Sequence, residues 1–470
     1  MMARNNIVRK LDSVEEFERE PVPERKWKGW GSFIGMYAGE HTAGTEFVIG
    51  PLFVAHGVAA ADLVLGLIAG NLMAVLSWAF LTAPVAVKFR LTLYCLLEKI
   101  CGRKFTLIYN SVNALMFCFL AGAMIAVSAT AIGIPFGLRM PSLEDWLPAG
   151  IGWIAAVIAI GAVTTLIAMF GYNLVSRFAN IAAPWMILVF VGAAVAVLPE
   201  LGVKSISDIW DRARDTIWTG TPLAGQSRFT FWHVMFFAWF CNTAMHIGMA
   251  DLSILRYGRK WIYGFSSATG MFVGHYIAWI ASGILYALFL IESNFSTEFA
   301  PGPVAFRAAG IAGAVCVVIA GWTTANPTIY RAGLALQAIR PKWRTWRVTC
   351  VVGTITTFAA CFPALVMKLL NFVALYGLIL MPVGAIILMD IYLIPRLGLR
   401  SGYAETFGKS FHPAAALAWV LTLIFSLLLN QLLDIEVFFL SLPGWFFAAI
   451  VYVAGSFWVQ HGRIKERRVA

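Results

Sequence analysis

The chain has 470 residues, of which 60% are hydrophobic, 14% aromatic and only 13% charged, with a mean hydropathy of +0.78. That composition excludes a water-soluble domain and predicts a polytopic membrane protein. The net charge of +11 is accounted for by membrane topology and anionic lipid, so a nucleic-acid surface need not be invoked.

Residues 1–29 read as a cytoplasmic tail. Six acids (Asp12, Glu15, Glu16, Glu18, Glu20, Glu24) alternate there with basic residues, and the short apolar core of a secretory signal is missing. From Gly31 onward, windows of about 20 apolar residues, long enough to cross hydrocarbon as helix, recur twelve times. They fall at 31–56, 60–85, 105–133, 149–170, 176–198, 229–252, 262–291, 308–337, 347–367, 370–395, 413–433 and 438–460. Connections are short, and only 86–104, 134–148, 199–228 and 292–307 could hold a surface helix or a lid. With both termini cytoplasmic, 28 of the 35 Lys and Arg fall on the cytoplasmic side, as expected for short loops in a cell membrane. Seven scattered cysteines, none in a CxxC pair, read as packing residues.

Two spans are interrupted by polar stretches. Span one carries GEHTAGTE (Gly39 to Glu46), and span six carries NTAMHIGMAD (Asn242 to Asp251). An ionised group at mid-membrane costs about 2.5–3.5 kcal/mol on insertion scales, so Glu40, His41 and Glu46 are expected to line a site. The interruptions lie five spans apart. An odd offset inverts the second copy, predicting an inverted repeat of spans one to five and six to ten, with substrate and ion sites at broken helices near the midplane. Pro184 in span five and Pro382 in span ten echo each other. Gly39, Gly44, Gly50 and Gly248 fit either such breaks or close helix packing.

Span eight reads Ala320-Gly321-Trp322-Thr323-Thr324-Ala325-Asn326-Pro327, and span ten reads LLNFVALYGLILMPVGAIILMDIYLIPR from Leu369 to Arg396. With Gly171 and Asn180 to Pro184 at span five, these stretches resemble the nucleobase–cation symporter family, which includes hydantoin, purine and cytosine permeases. The resemblance spans roughly residues 30–400. It implies an all-α protein of the leucine-transporter fold, with twelve transmembrane helices in a five-plus-five inverted repeat and broken helices one and six. The core would cover 30–400 (repeats about 30–198 and 229–396), followed by two additional helices in 401–461 and a cytoplasmic tail at 462–470.

The resemblance also implies site residues. A sodium ion would be held by the Ala320 carbonyl, the Thr323 and Thr324 hydroxyls and span-one carbonyls near Glu40 and Ala43. Positions i, i+3 and i+4 share one helix face, although membrane threonines also bond back to carbonyls one turn earlier. Glu40 could ligate the ion, take up a proton, or pair with His41 or His246. For substrate, the family's span-three aromatic falls on Phe117 and its amide on Ala121. Its span-six aromatic falls on Asn242, with Trp239 and Phe240 within a turn, and its span-eight asparagine falls near Ile329 or Tyr330, with Asn326 close by. Glu40, His41, Phe117, Ala121, Phe240, Asn242, His246 and Asn326 are thus the expected substrate contacts, and so many substitutions point to a ligand other than hydantoin or cytosine. Asp251, placed at the cytoplasmic mouth, and Asp390 are expected to gate.

The function so implied is symport: import of a nucleobase or related planar nitrogenous compound with Na+ or H+ by alternating access. No P-loop is present, so the driving force would be electrochemical, and no HExxH or second histidine at i+4 supports an intramembrane enzyme. No cofactor is expected. Partners would be the small-molecule substrate and the lipid bilayer, with the chain a monomer or weak oligomer. A transporter-like sensor, or a transporter of a different and possibly cationic solute, is the alternative.

Overall fold

Backbone groups inside hydrocarbon have no water to bond, so a chain this apolar must close its hydrogen bonds within helices. The computed structural model is helical, and among the described residues its β pairing is confined to isolated bridges such as Lys28 to Gly258. It describes residues 10–44, 46–138, 140–141, 145–292, 301–366 and 369–469, without the side chains of 365–372 and 462–469. Residues 293–300 of the segment 292–307 that could hold a lid, the side chains of the C-terminal tail and the Asn371 side chain of the span-ten resemblance therefore lie outside the described residues.

Span one is two helices, α1 (Gly31–Glu40) and α2 (Glu46–Ala55). There follow α3 (Ala60–Phe89), the short α4 (Leu93–Cys101), α5 (Arg103–Gly133), α6 (Ile151–Met169) and α7 (Tyr172–Val197). Span six begins as α8 (Phe231–Phe240). Then come α9 (Trp261–Glu292), α10 (Pro301–Ile339), α11 (Thr345–Ala360), α12 (Leu369–Leu388), α13 (Pro413–Leu433) and α14 (Ser441–Val469). Among the described residues nine helices are long and apolar enough to cross a membrane, and the chain is a multi-pass membrane protein. The other three predicted spans, one, six and nine, fall on shorter helices.

Both predicted interruptions are real. After Glu40 the backbone leaves helical geometry at His41 (φ −105°, ψ 12°), and winding resumes at Glu46. After Phe240, Asn242 turns out of the helix (φ −110°, ψ 27°), a single turn forms over Thr243–His246, and Met249 adopts φ +64°. A left-handed non-glycine residue costs on the order of 1–3 kcal/mol and survives only where its surroundings over-determine it.

The packing is reciprocal between the two halves. Span one lies against span five through α1 on α7 and against span seven through α2 on α9. Correspondingly, the span-six turn lies on α12 of span ten, and α8 lies along α3 of span two. This exchange of partners is what an inverted repeat produces. α13 and α14 pair with each other and attach through α12.

Two close approaches depend on glycine. At Gly384 of α12 an added Cβ would run into the Ile247 carbonyl, and at Gly321 of α10 it would run into Ser128 Oγ and lie 2.5 Å from the Met124 carbonyl. α5 and α10 form the most extensive helix pair, tied by Ser128 Oγ, which donates to Val318 O at 3.1 Å. Forcing a side chain into such a contact costs about 1–3 kcal/mol. Gly321→Val should therefore lower the thermal unfolding midpoint of the purified protein, whereas an unchanged midpoint would show that α5 and α10 do not approach this closely.

Candidate functional site at the two helix breaks

The centre of the protein is organised by a residue to which the sequence reading gave no site role. Arg331 sits on α10, seven residues or two helical turns beyond Thr324, and is 1% exposed. Its Nη1 donates to Glu40 Oε1 at 2.5 Å and its Nη2 to Glu40 Oε2 at 3.1 Å, a bidentate pairing. The same Nη2 donates to Asp251 Oδ1 at 2.6 Å. One guanidinium thus joins the last residue of α1 to the end of the span-six break.

Each carboxylate is held in place by its own helix geometry. Glu40 ends α1, where the interruption leaves its side chain facing α10. Asp251 Oδ2 accepts from Tyr37 OH at 3.1 Å and from Trp78 Nε1 at 2.7 Å, so α1 and α3 both reach it. Trp78 opens a π turn (Trp78–Thr82) in α3, a wide winding frequent at functional sites. Thr82 in that turn donates its hydroxyl to the His246 carbonyl. Behind Arg331, Tyr94 OH donates to the Arg331 carbonyl at 3.1 Å and accepts from Asn113 Nδ2 at 3.2 Å.

The expected cation residues converge in part. Thr324 Oγ1 donates to the Glu40 carbonyl across the α10–α1 contact at 3.1 Å. Thr323 Oγ1 bonds back to the Ala320 carbonyl at 2.9 Å, the habit that membrane threonines share. The Ala43 carbonyl accepts the Glu46 amide at 3.2 Å, which restarts α2. Glu40 O, Ala320 O, Thr323 and Thr324 therefore line one seam, with Glu40 contributing its carbonyl there and its carboxylate to Arg331.

The histidines turn elsewhere, so Glu40 pairs with Arg331 rather than with His41 or His246. His41 Nδ1 bonds its own Tyr37 carbonyl at 2.7 Å, and its ring lies 4.8 Å from that of His275. A Cβ at Gly270 or Gly274 would press into His41, so α9 leaves room for the imidazole. His246 Nε2 bonds the Trp239 carbonyl at 2.9 Å, and its ring packs on Trp78 at 4.6 Å. Glu46 also faces α9, accepting from Trp279 Nε1 with His275 Nε2 at 3.7 Å.

Of the expected substrate contacts, Phe117 packs edge-on against Tyr376 of α12 at 5.4 Å, and Tyr376 OH reaches Met245 in the span-six turn. Ala121 is fully buried one turn further along α5. Phe240 stacks on Trp239 at 4.9 Å, and Asn242 Nδ2 has no hydrogen-bond partner among the described residues. Asn326, also without partners, stands apart. On α10 it lies one turn beyond Trp322, which packs on Phe178 of α7.

Both expected gating acids occupy positions other than a solvent-facing mouth. Asp251, expected at the cytoplasmic mouth, is 1% exposed in the centre. Asp390 is buried against α14, accepting from Tyr452 OH at 2.6 Å and from the Gly402 amide at 2.8 Å, so it anchors the last helix and the 398–402 loop to α12.

Comparison with protein-family models and with curated proteins finds no match. Solved structures do match, almost end to end. Mhp1, a nucleobase-cation-symport-1 family transporter in a closed conformation with bromovinylhydantoin bound, superposes with a TM-score of 0.72 at 15% identity, covering 96% of this chain and 97% of that one. Its inward-facing conformation gives 0.70 at 14% identity over 94% of each chain. A substrate-bound, outward-open Na+-coupled sialic acid symporter gives 0.64 at 14% identity over 96% of each. The chain has the fold of these transporters. Within that leucine-transporter fold, Glu40 and Asp251 stand at the two helix discontinuities, and Arg331 reaches both from span eight.

Removing one partner of a buried ion pair strands the others and costs about 3–5 kcal/mol, whereas removing the whole set costs far less. Arg331→Gln should accordingly destabilise the protein strongly, and adding Glu40→Gln and Asp251→Asn should recover part of the loss. Unfolding midpoints of the single and triple variants check this; a triple variant less stable than Arg331→Gln would contradict the assignment.

Proposed function

We propose that the chain is a secondary active transporter that imports a nucleobase or related small planar nitrogenous compound, coupled to Na+ or H+ by alternating access. The observation that carries this reading is the meeting of two helix breaks at one buried guanidinium, because such breaks supply the unpaired backbone groups from which ion and substrate sites are made. Neighbours in fold support it: one is a nucleobase-cation-symport-1 transporter with a hydantoin bound, another a Na+-coupled symporter.

In this reading the coupling ion takes the seam of Glu40 O, Ala43 O, Ala320 O, Thr323 and Thr324. The Thr324 hydroxyl, now a donor to Glu40 O, would rotate to offer its oxygen to the ion, and span one would be pinned to α10 through the ion instead. The same residue, Glu40, holds Arg331 and through it Asp251, so ion occupancy is felt at the span-six break. The planar substrate would lie near Phe117, Phe240 and Asn242. Whatever factor the ion adds to substrate affinity, the substrate adds to ion affinity. A core of residues 30–400, both termini cytoplasmic and no enzymatic step complete this reading.

A second reading has its own support. Two buried carboxyl groups face one guanidinium at the centre, so the cluster holds one more acidic than basic group. That balance favours a cationic solute over a neutral base and disfavours an anion.

A thermal-shift screen of purines, pyrimidines, hydantoins and cationic amines, with and without sodium, identifies the ligand class. Counterflow of the radiolabelled hit in proteoliposomes then tests transport: exchange is expected, and binding without exchange would mean a receptor. Thr324→Ala should lower sodium-dependent uptake of that hit at least tenfold while the protein still reaches the membrane. Undiminished sodium dependence in that variant would remove the ion from this seam.

A further inference from the structure

Residues 11–22, part of the expected cytoplasmic tail, are threaded into the bundle. Leu11, Glu16, Phe17 and Val22 are all less than 9% exposed. Glu16 is the centre of the contact. Its Oε1 accepts from the Tyr172 amide at 3.0 Å, and its Oε2 from Tyr257 OH at 2.8 Å and Tyr330 OH at 2.6 Å. Arg256, fully buried, stands 3.9 Å from the same carboxylate and donates to the Phe17 and Glu16 carbonyls at 2.7 and 2.5 Å. The fit is shaped on both sides: Phe17 adopts φ +48°, and at Gly171 (φ +76°) a side chain would collide with the Glu16 carboxylate.

Further along, the segment is tied to α4 and α11. Thr92 Oγ1 donates to Glu18 O at 3.0 Å, Cys95 Sγ lies 3.6 Å from Arg19 O, and Thr345 bonds the Glu18 side chain. Burial pushes the Glu18 carboxyl up from its ordinary value. Arg19 pairs with Glu98 at 2.9 Å.

Each partner of Glu16 belongs to a piece that carries the central cluster. Tyr330 precedes Arg331, Arg256 and Tyr257 follow Asp251 after one turn, and Tyr172 opens α7, on which α1 packs. Tyr172 OH also bonds the Ser32 carbonyl of α1 at 3.3 Å. These pieces cannot separate at this end of the bundle while one carboxylate holds them. If Glu16 left without water entering, Arg256 would remain as a buried charge without its carboxylate, which is strongly disfavoured. Undocking of the segment and hydration of this end are therefore one event.

We propose that the surface formed by Arg256, Tyr257, Tyr330 and the Gly171–Tyr172 turn is a receptor for the chain's own acidic segment 11–22, and that release of this plug is the step that opens the site toward the tail side. The proposal rests on the transporter reading for what the opening serves, yet its test needs no substrate.

Ser253, fully buried and accepting at its carbonyl from Arg256 Nε at 3.1 Å, is replaced by Cys as a reporter, and the full chain in detergent is labelled with a bulky hydrophilic maleimide, with rates resolved by residue in a mass spectrometer. Adding Glu16→Ala should speed labelling at position 253 at least tenfold and leave Cys316, buried between α7 and α10, unchanged. Arg19→Cys, oxidised to a disulfide with Cys95, should slow labelling at 253 below the level of the reporter variant alone, and reductant should restore it. Equal rates with and without Glu16→Ala would overturn the proposal. So would a parallel rise at Cys316, which would make Glu16 a support of the whole fold, or continued labelling at 253 in the disulfide-locked protein.

Discussion

A charged group buried in a membrane protein is stable only when its charge and hydrogen bonds are answered locally, and in this chain one side chain answers for two helices. Arg331 is held by Glu40 and Asp251, and neither acid could reach it from an unbroken helix end at the membrane surface. The breaks in spans one and six, the π turn that presents Trp78, and the left-handed Met249 all lead to this meeting. Charge and backbone irregularity are thus one arrangement: the interruptions place the acids, and the guanidinium keeps the interrupted ends together.

Much of the architecture is legible in the sequence, for a simple reason. Hydrocarbon imposes long apolar runs on every helix that crosses it, so the windows at 60–85, 105–133, 149–170 and 413–433 lie on helices α3, α5, α6 and α13. The interruptions at Gly39–Glu46 and Asn242–Asp251 were equally visible, since polar clusters inside apolar runs have few other uses. Partnerships were less legible. Glu40 has a histidine beside it in sequence and another in the matching break, and nothing local says that its partner lies 291 residues away on α10. The available signal was Arg331 itself, an arginine inside a predicted span on the same helix face as Thr324.

The burial of Asp251 is hidden from the sequence for a related reason. After His246 the chain folds back on itself: the Ala250 and Asp251 amides bond carbonyls six residues earlier, those of Ala244 and Met245, so counting at helical rise carries Asp251 toward the membrane surface, whereas the folded-back turn holds it beside Arg331. For the tail, its mixed acids and bases carry no sign of burial. Only the tertiary structure supplies Arg256, Tyr257 and Tyr330 as partners for Glu16. In both cases the three-dimensional environment, and not composition, sets where the acid lies.

The account stands on Arg331 joining both discontinuous helices, and an experimental structure of the full chain in lipid, resolved well enough to place that guanidinium, tests it most directly. The account predicts helix ending at Glu40 and again at Phe240, with continuous density from Arg331 to both the Glu40 and Asp251 carboxylates in a state closed on the tail side. A span one wound without interruption through residues 41–45, or an Arg331 side chain directed away from both acids in that closed state, would contradict it.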